Sequence, residues 1–568
     1  MAEGLIQPRQ DDEEMEDLGS EYFRNLLSRS FFQQSRINKS QFLMHDLIHD
    51  LAQTVAGNIC FRMEERSGGS KQQNIPIKAR HSSYLASGYD VTKRFEVFSK
   101  LTSLRTFLPL MPPNSGKCYL AHRVNLELVP TLRCLRVLSF HGYYITKLSD
   151  SIGELKHLRY LDLSKTRIRG LPESITTLYN LQTLLLEECT CLEKLPSMFQ
   201  KLVNLRHLNI EGAYRLEGMP LQIGKLTCLQ TLSNLVVGKD NCSGLKELGP
   251  LKHLQGTLRI SKLENVMEAE DAKDAELIKK TKISALLLEW SSDIDGSKDR
   301  TSELEILDGL RPQNDLVKLV LRYYGGTTLP NWLTPASFPH MLYLKIENCY
   351  ECTSLPPLGQ LPSLKTLWIS GMASVKSVGS EFCGVSLVAE ECPTLESLTS
   401  SGELPATLQR LCIHNCPKLE SVAKSFHHNS FLTTIRISKC ENLQFLNGVE
   451  TLLLPSNLRL LSISDCEKMQ GLQNSIYNLT TLRDLEIGKC LSILSFPKEG
   501  FPTNRTRLRI YGLKITDALF ESGLDNLTFL KELEIGRYQH LVSFPEMTLP
   551  ASLTSLNISD LLKLSRFN

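Results

Sequence analysis

A short leucine pattern decides the fold: it reads Leu158-Arg159-Tyr160-Leu161-Asp162-Leu163 and recurs over residues 181–186 and 205–210. Its first leucine moves from position 158 to 181 and then to 205, in steps of 23 and 24 residues. An L-x-x-L-x-L unit at this period is typical of leucine-rich repeats. One unit cannot bury its own apolar face, so neighbouring units must stack. The pattern therefore predicts an α/β fold, a leucine-rich-repeat solenoid with a parallel sheet on its concave face.

The repeats extend through most of the chain, and we assign residues 101–568 to the solenoid. After Leu364 the repeat returns at Leu408, Leu432, Leu458, Leu482, Leu530 and Leu553. Residues 262–282 are rich in Ala, Glu and Lys and predict a helical insertion. The charged residues 291–302 predict a solvated loop. Residues 383–404 fit the pattern poorly, and no clean strand is predicted there.

Composition excludes several classes of partner. A net charge of +2 over 568 residues gives no reason to expect nucleic acid or an anionic membrane. No run of about 18 apolar residues occurs, so no membrane span is expected. The first residues lack the basic flank and apolar stretch of a secretory signal.

Six of the sixteen cysteines occupy one position of the repeat. Each of the six follows the last apolar residue of its unit by three positions: Cys189, Cys349, Cys416, Cys440, Cys466 and Cys490. A small side chain at this position packs where the chain leaves the strand. We therefore predict a ladder of buried structural thiols and a reducing compartment.

Other polar clusters give no strong indication of chemistry. Cys349-x-x-Cys352 has no second ligand pair at a suitable spacing for zinc. The adjacent His427 and His428 are predicted in an exposed loop, and the acidic residues 11–14 in a solvated one. No Gly-x-Ser-x-Gly motif occurs. We therefore expect neither a metal site nor an enzyme.

Residues 1–65 do not follow the repeat. Tyr22, Phe23, Leu26 and Leu27 have the spacing of an amphipathic helix, and a short strand is predicted at residues 30–32. A second helix is predicted from a stripe that continues through Leu43, Leu47, Leu51 and Val55. Helix, strand and helix over so short a span predict part of a winged-helix-like domain, followed by a junction over residues 66–100.

Residues 42–52 resemble the "MHD" segment of plant intracellular nucleotide-binding leucine-rich-repeat immune receptors. Residues 324–333 and 352–362 resemble the coiled-coil class of the same family. The resemblance implies that the chain is truncated to the end of the winged-helix domain plus the repeats. It implies a non-catalytic role in plant defence, in the cytoplasm.

The resemblance also assigns a nucleotide contact. Within the segment Met44, His45 and Asp46, the family's histidine approaches the β-phosphate of ADP. A phosphate-binding G-x-x-x-x-G-K-[ST] loop occurs nowhere in this sequence. We therefore expect no cofactor in this chain, with ADP or ATP bound only when the nucleotide-binding core is present. His45 is then either a vestigial ADP contact or an ordinary histidine on a helix surface.

Side chains that point away from the leucine core are candidates for protein binding, because they alternate with core residues along each strand. The candidates are Tyr160, Trp290, Tyr323, Trp368, Arg436, Arg509 and Tyr511. Aromatic residues and Arg are enriched at interfaces. Trp290, Tyr323 and Trp368 either form one concave cluster, or the tryptophans pack against the inserted helix.

The preferred interpretation is a recognition module that senses a pathogen effector or a guarded host protein. The resemblance implies a second role, in which the first repeats restrain the nucleotide-binding domain. A general intracellular leucine-rich-repeat scaffold is the first alternative, although it would usually carry Asn rather than Cys in the ladder. The second alternative is part of an ADP/ATP-dependent switch, which requires an upstream phosphate-binding loop.

Overall fold

The computed structural model describes residues 2–559 except for 7–14, 36–38, 40, 64–75, 113–116, 240–243, 293–299, 334–336, 357, 359–360, 380–384, 400, 427, 448–453, 471–478, 494–503, 514–523, 525–526 and 537–548. The acidic residues 11–14 lie outside the described residues, as does His427. The chain divides into two units, Met1–Ser261 and Lys262–Asn568. Within the described ranges, no helix has the length and apolar character needed to cross a membrane.

The amino-terminal segment of the first unit forms two helices and a pair of strands. These elements are α1 Met15–Ser28, β1 Phe32–Gln34, β2 Phe42–Met44 and α2 Asp46–Ala56. The two strands are antiparallel, and Phe32 pairs with Met44. The ring of Phe23 packs against Phe32 and Phe42 at centroid distances of 5.5 and 4.9 Å. The predicted order of helix, strand and helix is present, with one more strand than predicted.

Parallel strands form the remainder of the first unit. They are β3 Cys60–Met63, β4 His81–Leu85, β5 Tyr89–Asp90, β6 Thr106–Leu110, β7 Tyr119–Leu120, β8 Val137–Ser139, β9 Tyr160–Asp162, β10 Thr183–Leu185, β11 His207–Asn209, β12 Thr231–Leu232, β13 Asn234–Val236 and β14 Gly256–Ser261. Strands β3, β4, β6 and β8 to β12 build one sheet, and β5 with β7 and β13 with β14 form parallel pairs. A short helix, α3 Thr92–Phe95, follows β5. The sheet thus begins at Cys60, before residue 101.

The register of this sheet places the leucines of successive repeats in one buried column. Leu161, Leu184 and Leu208 are paired on adjacent strands, and each is at most 1% exposed. Burial of such a side chain contributes roughly 1.5–3 kcal/mol. Stacking therefore stabilises repeats that could not fold singly.

The second unit continues the same architecture. Its strands are β15 Ile283–Glu289, β16 Lys318–Arg322, β17 Tyr343–Glu347, β18 Thr366–Ser370, β19 Ser386–Glu390, β20 Arg410–His414, β21 Ser421–Ala423, β22 Thr434–Ser438, β23 Phe445–Asn447, β24 Leu460–Ser464, β25 Asp484–Gly488, β26 Arg507–Tyr511, β27 Glu532–Gly536 and β28 Ser555–Ser559. All of them lie in one parallel ladder except β21 and β23, which pair with each other.

Helices interrupt the repeats where the insertion was predicted. Residues 262–282 contain only the short helix α4 Ala269–Asp274, flanked by 3-10 turns at Leu263–Asn265 and Leu277–Lys279. A further helix, α5 Arg300–Gly309, begins inside the stretch 291–302 that was predicted to be a loop. The loop prediction is wrong at its end, because α5 begins at Arg300, and the helix is held by its buried residues Ile306 and Leu307. Residues 293–299 lie outside the described ranges.

The expectation that residues 383–404 lack a clean strand is wrong. Strand β19 lies between β18 and β20 and is paired along its whole length with both. Its core positions are Leu387 and Ala389, which are buried. The alanine weakens the leucine pattern in the sequence, but its small side chain still fills the core position, since alternation rather than size determines the face.

After many strands, the residue directly before a cysteine has a positive φ, in the left-handed region of backbone conformation. Asn348 and Asn415 have φ of +57° and +52°, and Cys349 and Cys416 follow them. Asn tolerates this conformation better than most residues because its short side chain bonds locally. The predicted thiol ladder is confirmed, because all six of its cysteines are fully buried, and Cys392 after β19 belongs to it as well.

Candidate protein-recognition surface

The middle residues of the strands form a row on the face opposite the leucine core. From β17 to β22 this row is Lys345, Trp368, Val388, Cys412 and Arg436, each in register with the next. The two strand neighbours of each residue point the other way and fill the core. The row is therefore a preformed surface whose side chains stand at the strand spacing of about 4.8 Å.

Trp368 is the half-exposed aromatic residue of this row. The ammonium of Lys345 lies 4.4 Å from the centroid of the indole ring, within range of a cation–π contact. The same ammonium lies 3.1 Å from the carboxylate of Glu347, which also accepts a 2.7 Å hydrogen bond from Arg322. The charge of Lys345 is thus compensated within the sheet.

Trp290 does not lie on this surface, and its predicted placement is wrong. It is 4% exposed, and its ring packs against that of Tyr324 at a centroid distance of 5.1 Å. Leu286 and Leu288 fill the core, so Trp290, two residues further on, points inward too. The predicted concave cluster of Trp290, Tyr323 and Trp368 is therefore not formed.

Tyr323 and Tyr160 lie half-buried at the sheet. Tyr323 has φ of +57° and belongs to the turn after β16 rather than to the strand. Burial, with a smaller contribution from the charge of Asp162, raises the pKa of Tyr160 to about 12. Both phenols remain available in part as contact surface.

The charges of the last repeats are mostly paired with each other. Arg507 bonds both carboxylate oxygens of Glu532, at 2.6 and 3.0 Å, and Arg509 lies 3.1 Å from Glu534. The hydroxyl of Tyr511 donates to Glu486 at 3.1 Å. Burial and then the Glu486 charge raise the pKa of Tyr511 to about 12.

Arg436 differs from these arginines. Its side chain is exposed, and no carboxylate among the described residues lies within ion-pair distance of it. Of the predicted surface residues, the structure thus brings Trp368 and Arg436 into one row, with Tyr511 and Arg509 further along the same sheet.

A column of arginines in the first unit was not predicted from the sequence. In several repeats an arginine directly follows the first leucine or its equivalent, whereas Gln182 and Gln230 take this position in two others; the arginines are Arg80, Arg105, Arg136, Arg159 and Arg206. The recurring Leu-Arg dipeptide was the available signal.

Acidic residues of the amino-terminal segment contact this column. Arg206 lies 3.5 Å from the carboxylate of Glu16, and the His207 ring nitrogen lies 3.1 Å from the same carboxylate. Arg136 donates to the carbonyl of Glu3 at 2.7 Å. Burial acts to raise the pKa of Glu16, but hydrogen bonds from the backbone and His207 and the Arg206 charge outweigh it, so the pKa is lowered.

His45 acts as the amino-terminal cap of α2. Its Nδ1 accepts a hydrogen bond from the backbone N–H of Leu47 at 3.3 Å, which satisfies one of the free donors of the first turn. His45 and Asp46 are exposed and Met44 is half-buried. The geometry gives His45 a structural role, and a nucleotide contact remains untested.

Cys349 and Cys352 are both fully buried free thiols. Their thiols donate to different carbonyls, of Glu347 at 3.6 Å and of Ser354 at 3.2 Å. Burial raises the pKa of Cys349 to about 12 and also raises that of Cys352. Over the described ranges, no three His, Cys, Asp or Glu residues are grouped to hold a metal ion.

Two family models match the chain. Residues 1–52 match the disease resistance protein winged helix domain, and residues 245–372 match the R13L1/DRL21 leucine-rich repeats.

Among proteins of Arabidopsis thaliana, a putative disease resistance protein is 46% identical over 66% of the chain, and putative disease resistance RPP13-like protein 1 is 42% identical over 67%. The chain spans only 27% and 36% of these relatives. A leucine-rich-repeat protein of Leptospira interrogans is a structural neighbour with a TM-score of 0.40 at 18% identity, covering 78% of this chain and 91% of that one.

Proposed function

Since the chain belongs with the plant disease resistance proteins, we propose that it is a non-catalytic recognition module of an innate immune receptor. Its partner is a pathogen effector or a guarded host protein, bound on the face of the sheet opposite the leucine core. The observation that carries the proposal is the row from Trp368 to Arg436, in which a half-exposed indole and a guanidinium with no carboxylate partner among the described residues stand on in-register strands. Aromatic residues and arginines are the usual anchors of protein interfaces.

A photo-crosslinker tests the recognition surface. Benzoylphenylalanine replaces either Thr434, on β22 beside Arg436, or Phe431, which is exposed outside the strands. The chain is expressed in leaf tissue with a panel of pathogen effector proteins. We expect one effector or host protein to crosslink at position 434 only, and excess unmodified chain to compete. Equal crosslinking at both positions, or none at 434, contradicts the proposal.

A second part of the proposal is restraint of a nucleotide-binding domain by the first repeats. The support is the ion pair of Glu16 with Arg206 and the hydrogen bond that Arg136 donates to the backbone carbonyl of Glu3, because residues 1–52 match the winged-helix domain of disease resistance proteins. Polar contacts of this kind help to fix the orientation of two elements. The same proposal places the protein in the cytoplasm, which is supported by the absence of disulfides among the described cysteines.

Charge reversal tests the contact. We expect Glu16→Lys to weaken the docking of α1 by about 1 kcal/mol, seen as roughly fivefold faster hydrogen exchange over Met15–Ser28. Adding Arg206→Glu is expected to restore part of the protection, because the pair is re-formed with opposite signs. Glu127→Lys, which disrupts only an exposed pair with Arg123, serves as the matched control. If the hydrogen exchange of Met15–Ser28 is the same in all three variants as in the unmodified chain, the contact is contradicted.

A further inference from the structure

We infer that the surface from β18 to β22 binds an acidic, extended segment of its protein partner, in which two carboxylates two residues apart point towards the sheet. This inference rests on the proposed recognition function and names the chemistry of the partner. It is carried by two exposed arginines, Arg410 and Arg436, which lie at the Cys412 end of an apolar strip and have no carboxylate partner among the described residues.

The apolar strip is continuous across the strands. Trp368, Val388 and Cys412 are in-register neighbours of the middle row. Trp368 and Cys412 are half-exposed, and Val388 is 9% exposed. A strip of this width accommodates one aliphatic or aromatic side chain of a ligand, whose burial supplies affinity.

The two arginines are the unusual feature of this sheet. Arg322, Arg507 and Arg509 each have a carboxylate partner on the next strand. Arg410 and Arg436 are both exposed, and no carboxylate in the described part of the chain lies within ion-pair distance of either. Cys412 adjoins both of them, two positions after Arg410 on β20 and in register with Arg436 on β22.

The spacing of the arginines matches an extended acidic segment. Arg410 lies on β20 in register with Thr434, two positions before Arg436 on the adjacent β22. One strand spacing and two residues along the strand separate their Cα atoms by about 8 Å. Side chains two residues apart in an extended peptide are separated by about 7 Å on one face. A segment of the form acidic–x–acidic therefore reaches both guanidinium groups, each of which suits a bidentate carboxylate.

The experiment selects ligands without assuming one. A phage library of random dodecapeptides is panned on the full chain, on the Arg410→Gln/Arg436→Gln variant and on an Arg507→Gln/Arg509→Gln variant. The last variant removes the same number of charges from paired arginines of the same sheet and is the matched control. Circular dichroism of each variant checks that it is folded.

We expect peptides selected on the unmodified chain to be enriched in Asp and Glu, most strongly at two positions separated by one residue, because both carboxylates then lie on the same face of an extended peptide. Their affinity is expected to fall at least threefold in the Arg410/Arg436 variant and with added salt, and less in the control. If the selected peptides crosslink to the photo-crosslinker at position 434 but show no acidic enrichment, this inference is overturned, whereas the proposed recognition by the sheet stands. Absence of any selected peptide that crosslinks there contradicts both. Binding of single-stranded DNA that competes with the peptides also overturns the inference, because the site then recognises any polyanion.

Discussion

At the scale of the residue, the turns that follow several strands combine a strained backbone residue with a buried thiol. A non-glycine residue in the left-handed region costs on the order of 1 kcal/mol, and it recurs at Asn348, Asn415, Lys439, Asp465 and Lys489. Each is followed by a fully buried cysteine. The apolar burial of the thiol offsets the strain, and at Cys349 it also raises the pKa of the thiol, because a thiolate would lose its hydration.

The raised pKa of Cys349 predicts a loss of stability in alkali. The folded pKa is about 12, against an ordinary value of 9, so the thiol contributes its full stability below pH 9. That contribution falls as the pH rises from 9 towards 12, because only the unfolded chain ionises readily in this window. Between pH 8 and 10.5 we expect a loss of about 2 kcal/mol from this residue.

Urea unfolding followed by tryptophan fluorescence measures this effect. All three tryptophans, at positions 290, 332 and 368, lie in the second unit together with Cys349. Cys349→Ala is expected to flatten the alkaline decline, and Cys228→Ala, which removes an exposed thiol, is expected to leave it unchanged. An identical decline in both variants shows that the thiol of Cys349 does not contribute.

At the scale of the element, a buried carboxylate ties three parts of the first unit together. Asp90 of β5 is 1% exposed. It accepts hydrogen bonds from Arg94 of α3, from the hydroxyl of Tyr143 and, at 2.7 Å, from that of Ser87. The ring of Tyr84 on β4 packs on Phe95 at 5.0 Å beside this network. The short helix α3 is thus held by one charge and one ring contact rather than by its own length.

Removal of this carboxylate should release α3. We expect Asp90→Ala to destabilise the region by about 1–3 kcal/mol, because it removes the buried acceptor that Arg94, Tyr143 and Ser87 share. Hydrogen exchange over residues 81–110 measures the loss. The control Glu127→Ala, in the exposed pair with Arg123, is expected to change exchange by less than a twofold factor, since such pairs contribute little. Unchanged exchange in Asp90→Ala contradicts the proposed role of the network.

At the scale of the whole molecule, the chain combines a proposed recognition surface with a sequence that contains no phosphate-binding loop. A nucleotide diphosphate needs several backbone N–H groups and a lysine held together around its phosphates. His45, the residue that the family resemblance assigns to ADP, uses one ring nitrogen to cap α2. One imidazole cannot replace such a set of donors.

We therefore expect the 568-residue chain to bind no ADP at micromolar concentrations in isothermal titration calorimetry. His45→Ala is expected to lower the stability of α2 by roughly 0.5–1 kcal/mol through loss of the cap. His49→Ala, one turn further along the same exposed helix, is the matched control. A micromolar ADP affinity that His45→Ala removes contradicts the structural role given to this histidine.

The sequence by itself determined the stacked repeats, the thiol ladder and the winged-helix segment, because all three are patterns of local spacing. It indicated Trp368 and Arg436 as surface residues for the same reason, since alternation along a strand assigns faces. The prediction from the sequence was wrong for Trp290, because a shift of one residue in the assumed strand register moves a side chain from the exposed face to the core. It was also wrong for β19, because an alanine occupies a core position there.

Only the tertiary structure decided which charges are free. Arg436 and Arg509 occupy equivalent positions in their repeats, yet Arg509 meets Glu534 on the next strand and Arg436 meets Ser462. That difference depends on the partner two dozen residues away, and so does the contact of Glu16 with Arg206 across 190 positions. Local spacing determines which way a side chain points, whereas the fold determines which residue lies opposite it. Whether a charged side chain has a partner therefore depends on both.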